Sequence, residues 1–450
     1  GGYGLYYMNP NNDWNNTIGF SNRTELVNSL DGGRTLIPNL LSDPFPTVNQ
    51  PVGSSLGPLT FVGQNFNWFN PNMHIPYVHQ FSFGFQHQLS QGSTIDLSYV
   101  GSRTIGANDQ RDFNIPSADF RRQCNLAEGG SPAFCNEQLP NPFRGIDAFR
   151  GTTYYTAERI SRFNLNRPFP QFSGNLQERG RNDSRIWYNS LQVNYNVRVT
   201  GGLTLLANYT FSKMVERWGY NDPYNNVNQQ GLYFSDRPHF LKFSTVYELP
   251  FGRGKAIGRG ASGFLGKLIS GWQFSTFTNV ASGEPNNLPD NVLMLKDPRT
   301  VGGDWTGEVN WSDHQVIGWN PCVLREFNDG SVRPQQFSLD RGCGTDTANY
   351  AWLRTADYAP RYTPSRSGQI RKQPFFNIDA SLSKMTQITE RLRVQFRVEA
   401  FNLTNYYFFG RDSHFNTNPD EPNFGTLFPS QAWIGNGYPR QVQLGVKLYW

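Results

Sequence analysis

The stretch with the most obvious chemical promise is glycine-rich and basic, GRGKAIGRGASGFLGK over residues 252–267. A phosphate-binding loop follows the pattern G-x-x-x-x-G-K-[ST], so that backbone N–H groups cradle phosphate and a hydroxyl holds the metal. Counting back from Gly266 and Lys267 puts Ala261 where the first glycine belongs, and Leu268 stands where the hydroxyl is needed. Gly252 and Gly254 lack the third glycine of a dinucleotide fingerprint at its proper spacing. The stretch therefore reads as a flexible basic connection. His74 and His79 flank a proline at a poor spacing for a metal pair, and the other histidines are scattered. Neither a Ser/His/Asp set nor a pair of carboxylates stands out from the polar background. The expectation is no catalysis, no metal and no cofactor.

Three other groups of residues could act by binding. Arg391, Arg393, Gln395, Arg397 and Glu399 alternate along one run, with Asp379 on the run before it. On a wet surface they form a charged wall that can pair across strands or contact a solute; generic surface polarity is the plainer reading. Trp218, Tyr220 and Tyr224 share one polar segment, and Trp305, Trp311 and Trp319 another. Aromatics among Asn and Asp can stack on sugars or grip a peptide, or they can pack the segments against one another. Cys124 with Cys135, and Cys322 with Cys343, form two near pairs in polar stretches without nearby histidine. Two disulfides in an oxidising compartment are expected, with free thiols as the alternative.

The elements that carry these residues follow from side-chain period. In RLRVQFRVEAF, Leu392, Val394, Phe396, Val398 and Ala400 oppose the charged set. The chain ends on a second such run, with Val442, Leu444, Val446, Leu448 and Trp450 on one face. Period two marks a strand with one apolar and one polar face. Each run matches the roughly 9–11 residues that a tilted strand needs to cross a bilayer. A soluble antiparallel sheet shows the same alternation. Ending on an aromatic of the apolar face favours a bacterial outer-membrane barrel, whose assembly machinery recognises the last strand.

Further alternating runs begin near residues 2, 78, 93, 186, 203, 239, 271 and 375. Numbered back from Trp450, every second connection is compact: 90–92, 200–202, 385–390 and the basic stretch. The others are long, at about 9–77, 101–185, 214–238, 280–373 and 403–439. Short periplasmic turns and long outer loops are the rule for outer-membrane barrels, and a soluble sandwich has no reason to obey that parity. The expected fold is all-β: a transmembrane antiparallel β-barrel with about ten strands, the C-terminal part of a larger barrel, with long extracellular loops.

Composition fits this reading. Hydrophobic residues make up 37% of 450 and aromatics 15%; mean hydropathy is −0.57. No run approaches the roughly 18 apolar residues of a membrane helix. The net charge of +5 is dispersed, which argues against nucleic acid as a partner. Residue 1 is Gly without a signal peptide after it, and GGYGLYYMN already reads as a strand, so a missing upstream part is expected.

Several segments resemble TonB-dependent receptors of the Oar-like, carboxypeptidase-regulatory-domain type. They include NPNMHIPYVHQFSFGFQHQL, DRPHFLKFSTVYELPFGRGK, GWQFSTFTNVASGEP, FNIDASLSKMTQITERLRVQFRVEAFNLTN and PRQVQLGVKLYW, in the family's order. The resemblance implies a barrel of about 22 strands, plugged by an N-terminal domain that this sequence does not show. It also implies partners: outer-membrane lipid, the missing plug and strands, TonB through that missing part, and the assembly machinery reading the terminal strand. The implied function is uptake of a large or scarce solute. A surface adhesion receptor on the same scaffold is the alternative, and a secreted glycan-binding β-sandwich is the third reading.

Overall fold

The structure is a computed structural model that describes residues 1–8, 22–37, 42–45, 47–199, 201–222, 227–301, 309–310, 315–406, 415–427 and 439–450. Ten strands follow one another along a single sheet. They are β1 (Gly2–Tyr7), β2 (Tyr77–Ser90), β3 (Ser93–Asp112), β4 (Leu176–Val199) and β5 (Leu203–Asp222). Then come β6 (His239–Glu248), β7 (Trp272–Ala281), β8 (Phe375–Gln387), β9 (Arg393–Phe401) and β10 (Gln441–Tyr449). Each pairs antiparallel with its neighbours in chain order, and β1 and β10 are the two ends of that order. Two short strands pair off the path: Phe66–Phe69 beside β4 and Val227–Leu232 beside β5.

Register keeps the two faces in phase through the spanning part of the sheet and shifts at strand ends, as between β3 and β4 beyond Ile105. One row across neighbouring strands reads Leu444, Val398, Leu382, Phe274, Tyr247 and Leu203. One residue of slip in any pair would throw that strand's apolar set onto the polar face. The tight turns hold the register. A Cβ on Gly92 would lie 2.0 Å from the Arg198 carbonyl oxygen, which itself belongs to the facing strand end, so only glycine fits between β2 and β3 here.

The apolar face is open. Leu444 is 67% exposed, Val446 65% and Phe85 67%; Leu448, Phe83, Phe211 and Leu191 are also exposed. Leaving such side chains in water forfeits about 1.5–3 kcal/mol each. A row of them would outweigh the ~5–15 kcal/mol by which a folded protein is stable. Hydrocarbon removes that cost, and continuous strand pairing meets its demand that backbone groups be satisfied internally. The stripes do not face one another across a sandwich, so the secreted β-sandwich reading is set aside. Among the described residues, the buried apolar clusters lie in the long connections, with Leu176 of β4 the one contributor from the ten strands of the sheet.

Three strands are longer than the alternation indicated. β3 runs on to Asp112, β4 starts at Leu176 and β5 reaches Asp222. Residues 101–112, 176–185 and 214–222, expected in loops, are therefore paired strand. At about 3.3 Å per residue, the 24 residues of β4 far exceed a hydrocarbon core of ~30 Å. Their long-loop ends stand clear of lipid and can be polar on both faces. Arg391 is also displaced: β9 starts at Arg393, and Arg391 sits in the turn before it.

Val398→Arg on the apolar face is expected to destabilise the sheet in a bilayer by about 2–4 kcal/mol. Ser381→Arg on the polar face is expected to cost under about 1 kcal/mol. Urea unfolding in lipid vesicles, followed by the mobility shift of folded barrels on gels, reads both.

Candidate functional site

The polar face carries the charged ladder. Arg393, Gln395, Arg397 and Glu399 face it together, paired in register with Gln387, Met385, Ser383 and Ser381. Arg397 Nη1 lies 3.2 Å from Glu399 Oε1. Gln395 Oε1 accepts from the Tyr449 hydroxyl at 3.1 Å. The Arg393 guanidinium sits 5.9 Å from the centre of the Tyr449 ring. Asp379 takes another part: its Oδ1 accepts the Asn402 N–H at 2.9 Å and so ties down the end of β9. At the short-turn end the wall forms a hollow of about 290 Å³, bordered by Glu248, Lys255, Gln273, Ser383 and Gln395.

A belt of ion pairs crosses the long-loop end of β5, β6 and β7. Asp236 and Glu284 stand where a loop enters β6 and where β7 runs out, and Arg366–Arg371 forms a short strand beside Pro285–Asn287. Arg371 Nη2 donates to Asp236 Oδ2 at 2.8 Å, and Asp236 Oδ1 accepts the Met214 N–H at 2.7 Å. Glu284 bridges Arg237 at 3.0 Å and Lys372 at 3.2 Å. Arg366 pairs with Glu216, and its Nε donates to Asn287 Oδ1 at 2.7 Å. Asp236, Glu284 and Glu216 are all buried. A buried carboxylate is tolerated only when paired and hydrogen-bonded. Here Arg366 ties the long 282–374 connection to Glu216 of β5, Arg371 and Glu284 tie it to Asp236 and Arg237 at the entry to β6, and Lys372 closes on Glu284 within the connection. The sequence reading missed these residues. Their signal was an acid beside Arg or Pro at a strand's outer end, as in DRP and GEP.

Above the belt stand two caps, each built from two connections. The first joins residues 57–69 to 113–175 around Val62, Phe149, Tyr154, Ile160 and Phe172. Phe143 and Tyr154 stack at 5.3 Å, and Phe66 meets Phe172 edge-on at 5.2 Å. Cys124 and Cys135 form its disulfide. The second cap joins residues 288–370 to 415–427 around Trp319, Trp352, Val323, Phe415 and Phe424, with Cys322 bonded to Cys343. Arg354 Nε reaches across to Asp420 at 3.1 Å. Burial raises the pKa of nearby Asp357, but hydrogen bonds from Asn328 and Arg354 outweigh it and hold that carboxyl below the ordinary range. The caps touch at Tyr358. Its ring packs 5.1 Å from Phe163, its hydroxyl donates to Asn136 Oδ1, and its φ is 64°.

The aromatic candidates divide. Trp319 is 2% exposed and belongs to the core of the second cap, so it is no surface contact. Its mates in that core are hydrophobic residues spread from Leu288 to Leu427, a spacing that no periodicity reveals. Tyr220 is half-buried, with its hydroxyl donating to Asp183 Oδ2 at 2.8 Å and the Arg111 guanidinium 5.7 Å from its ring. Trp218 is exposed beside it. Tyr224, Trp305 and Trp311 lie outside the described residues.

The family described as outer membrane beta barrel domain matches residues 1–443. The chain belongs to that family. In such barrels the short turns are periplasmic and the long loops extracellular, so the belt and caps of this barrel domain face outward, in a Gram-negative outer membrane. No curated protein matches the sequence. Among solved structures, the barrel domain is similar to the outer membrane transporter YddB of Escherichia coli, at 10% identity and a TM-score of 0.35, over 86% of this chain and 34% of that one. It is also similar to the ferripyoverdine receptor of Pseudomonas aeruginosa, at 8% and 0.32, over 84% and 27%. A third is the FrpB iron transporter of Neisseria meningitidis, at 10% and 0.32, over 85% and 32%. The barrel domain spans between about a quarter and a third of the length of these three structures.

Asp236→Ala leaves the Arg371 charge without its carboxylate and the Met214 N–H without its acceptor, and is expected to cost about 3–5 kcal/mol. Limited proteolysis should then cut between residues 283 and 374 while the strands survive. Replacing Cys322 and Cys343 by Ser is expected to cost the second cap about 2–5 kcal/mol, read as faster cleavage there with unchanged barrel mobility on gels.

Proposed function

We propose that this chain is the wall and extracellular face of an outer-membrane receptor of the TonB-dependent, Oar-like type. It takes up a large or scarce solute when joined to the plug and remaining strands that the resemblance implies. The observation that carries the reading is continuity. A polar face runs from the capped outer mouth, through the buried ion-pair belt, to the charged ladder at the periplasmic rim. The caps offer a surface with its own cores and disulfides, able to hold shape while a solute is captured. The ladder offers compensated charge, which a passing polar solute can exchange for its own hydrogen bonds without a bare ion being left behind. Nothing in this reading requires catalysis.

The test uses the full-length protein in cells, with labelled ferric chelates, oligosaccharides and peptides as probes. One class is expected to bind at the surface and to accumulate inside only while the proton gradient is intact. The double variant Arg397→Ala with Glu399→Ala is expected to slow accumulation about tenfold, or ~1.4 kcal/mol, at unchanged surface binding. Binding without gradient-driven accumulation would instead establish the adhesion receptor.

A further inference from the structure

The periplasmic connections 91–92 and 388–392 are minimal, but residues 249–271 form a longer excursion. It ends in a short helix, Gly263–Ile269. Phe264 is 83% exposed, Leu265 60% and Leu268 50%, at positions i, i+1 and i+4 of one helix face. The opposite side is engaged. Gly266 is buried, with no room for a Cβ beside the Ala261 carbonyl, and Ile269 packs back against Gly258. An apolar face left outward by a helix whose other side is packed is a surface with an occupant to find.

Its position says what that occupant is. Lys384 lies on the outward face of β8, in register with Trp272 and Phe396 of the lipid-facing rows. The Lys384 ammonium donates to the carbonyls of Lys267 and Ser270, both at 2.7 Å, and sits 5.2 Å from the Trp272 ring centre. Trp272 Nε1 donates to the Leu268 carbonyl at 3.1 Å. These bonds hang the helix outside the wall, at its rim, where the apolar band meets the periplasmic headgroups. Tryptophan and an upward-reaching lysine are the side chains that suit that level. Charge agrees. Residues 249–271 contain Arg253, Lys255, Arg259 and Lys267 and no Asp or Glu. Lys255 pairs with Glu248, whereas the other three are exposed and make no ion pair among the described residues.

We propose that this excursion is an interfacial anchor. The helix lies in the periplasmic leaflet with Phe264, Leu265 and Leu268 among the acyl chains, while Arg253, Arg259 and Lys267 hold anionic phospholipid headgroups. It joins apolar insertion to electrostatic attraction, the two contributions by which amphipathic helices bind membrane surfaces. The anchor is separate from solute uptake and stands or falls independently of it.

The test places the full protein in nanodiscs, with Leu265→Cys carrying a nitroxide; the four native cysteines are all in disulfides. Expected is strong collision with oxygen and weak collision with a water-soluble nickel chelate, and the reverse for a label at Ser331→Cys in an outer hairpin. Nickel accessibility at Leu265→Cys overturns the proposal. So does protection from both reagents, which would mean that a protein or a second copy covers the face. The headgroup half is read by unfolding midpoint. Moving the protein from phosphatidylcholine to discs containing phosphatidylglycerol should raise it by about 2–4 °C. Arg253→Gln with Arg259→Gln and Lys267→Gln should abolish that rise, and an equal rise in this variant overturns the headgroup contact.

Discussion

Hydrocarbon will not hydrogen-bond to a peptide group, and the arrangement of this chain follows from that. Every strand in the membrane has to satisfy its backbone against a neighbour, so the chain returns again and again to make one antiparallel sheet. Side chains obey a reversed rule on its outer face. Leu444, Val446 and Phe85 lie bare because lipid is as apolar as they are. The same constraint expels ordinary hydrophobic cores from the spanning region and leaves them to the extracellular connections. There Trp319, Trp352 and Phe424 are sealed as they would be in a water-soluble domain.

Polar chemistry is sorted by the same boundary. Along the ladder, charges sit on the wet face and pair within a strand, as Arg397 does with Glu399. At the outer mouth, carboxylates are buried by the loops above them, and each is matched to a guanidinium or ammonium. That belt joins the rigid sheet to the 282–374 connection without asking apolar residues to cross a wet rim. The sequence of layers is therefore lipid-matched wall, ionic seam, and disulfide-stapled caps.

The spanning architecture was legible because it is periodic. Alternation in RLRVQFRV and QVQLGVKLYW, together with the parity of short and long connections, is enough to number ten strands and orient them. The outer ends of β3, β4 and β5 escaped because a strand that leaves lipid no longer needs one apolar face, and its alternation fades. The caps escaped for a different reason. Their cores draw on Phe66 and Phe172, or Val292 and Phe424, across separations that carry no local signal. Trp319 stands among polar residues, where sequence leaves both a ligand contact and loop packing open, and the tertiary structure decides for packing. Arg391 continued the alternation by one step, yet the turn claims it. The cysteines paired as their spacing indicated.

Each cap straddles two connections, and this has a mechanical result. The first links the β1–β2 hairpin to the β3–β4 hairpin, and the second links β7–β8 to β9–β10. The caps act as splints along the outer rim, fixing the spacing of hairpins that lower down are joined by strand hydrogen bonds and by the short turns 91–92 and 388–392. Each capped pair of hairpins is thus held at both ends, by an apolar core above and a short turn below.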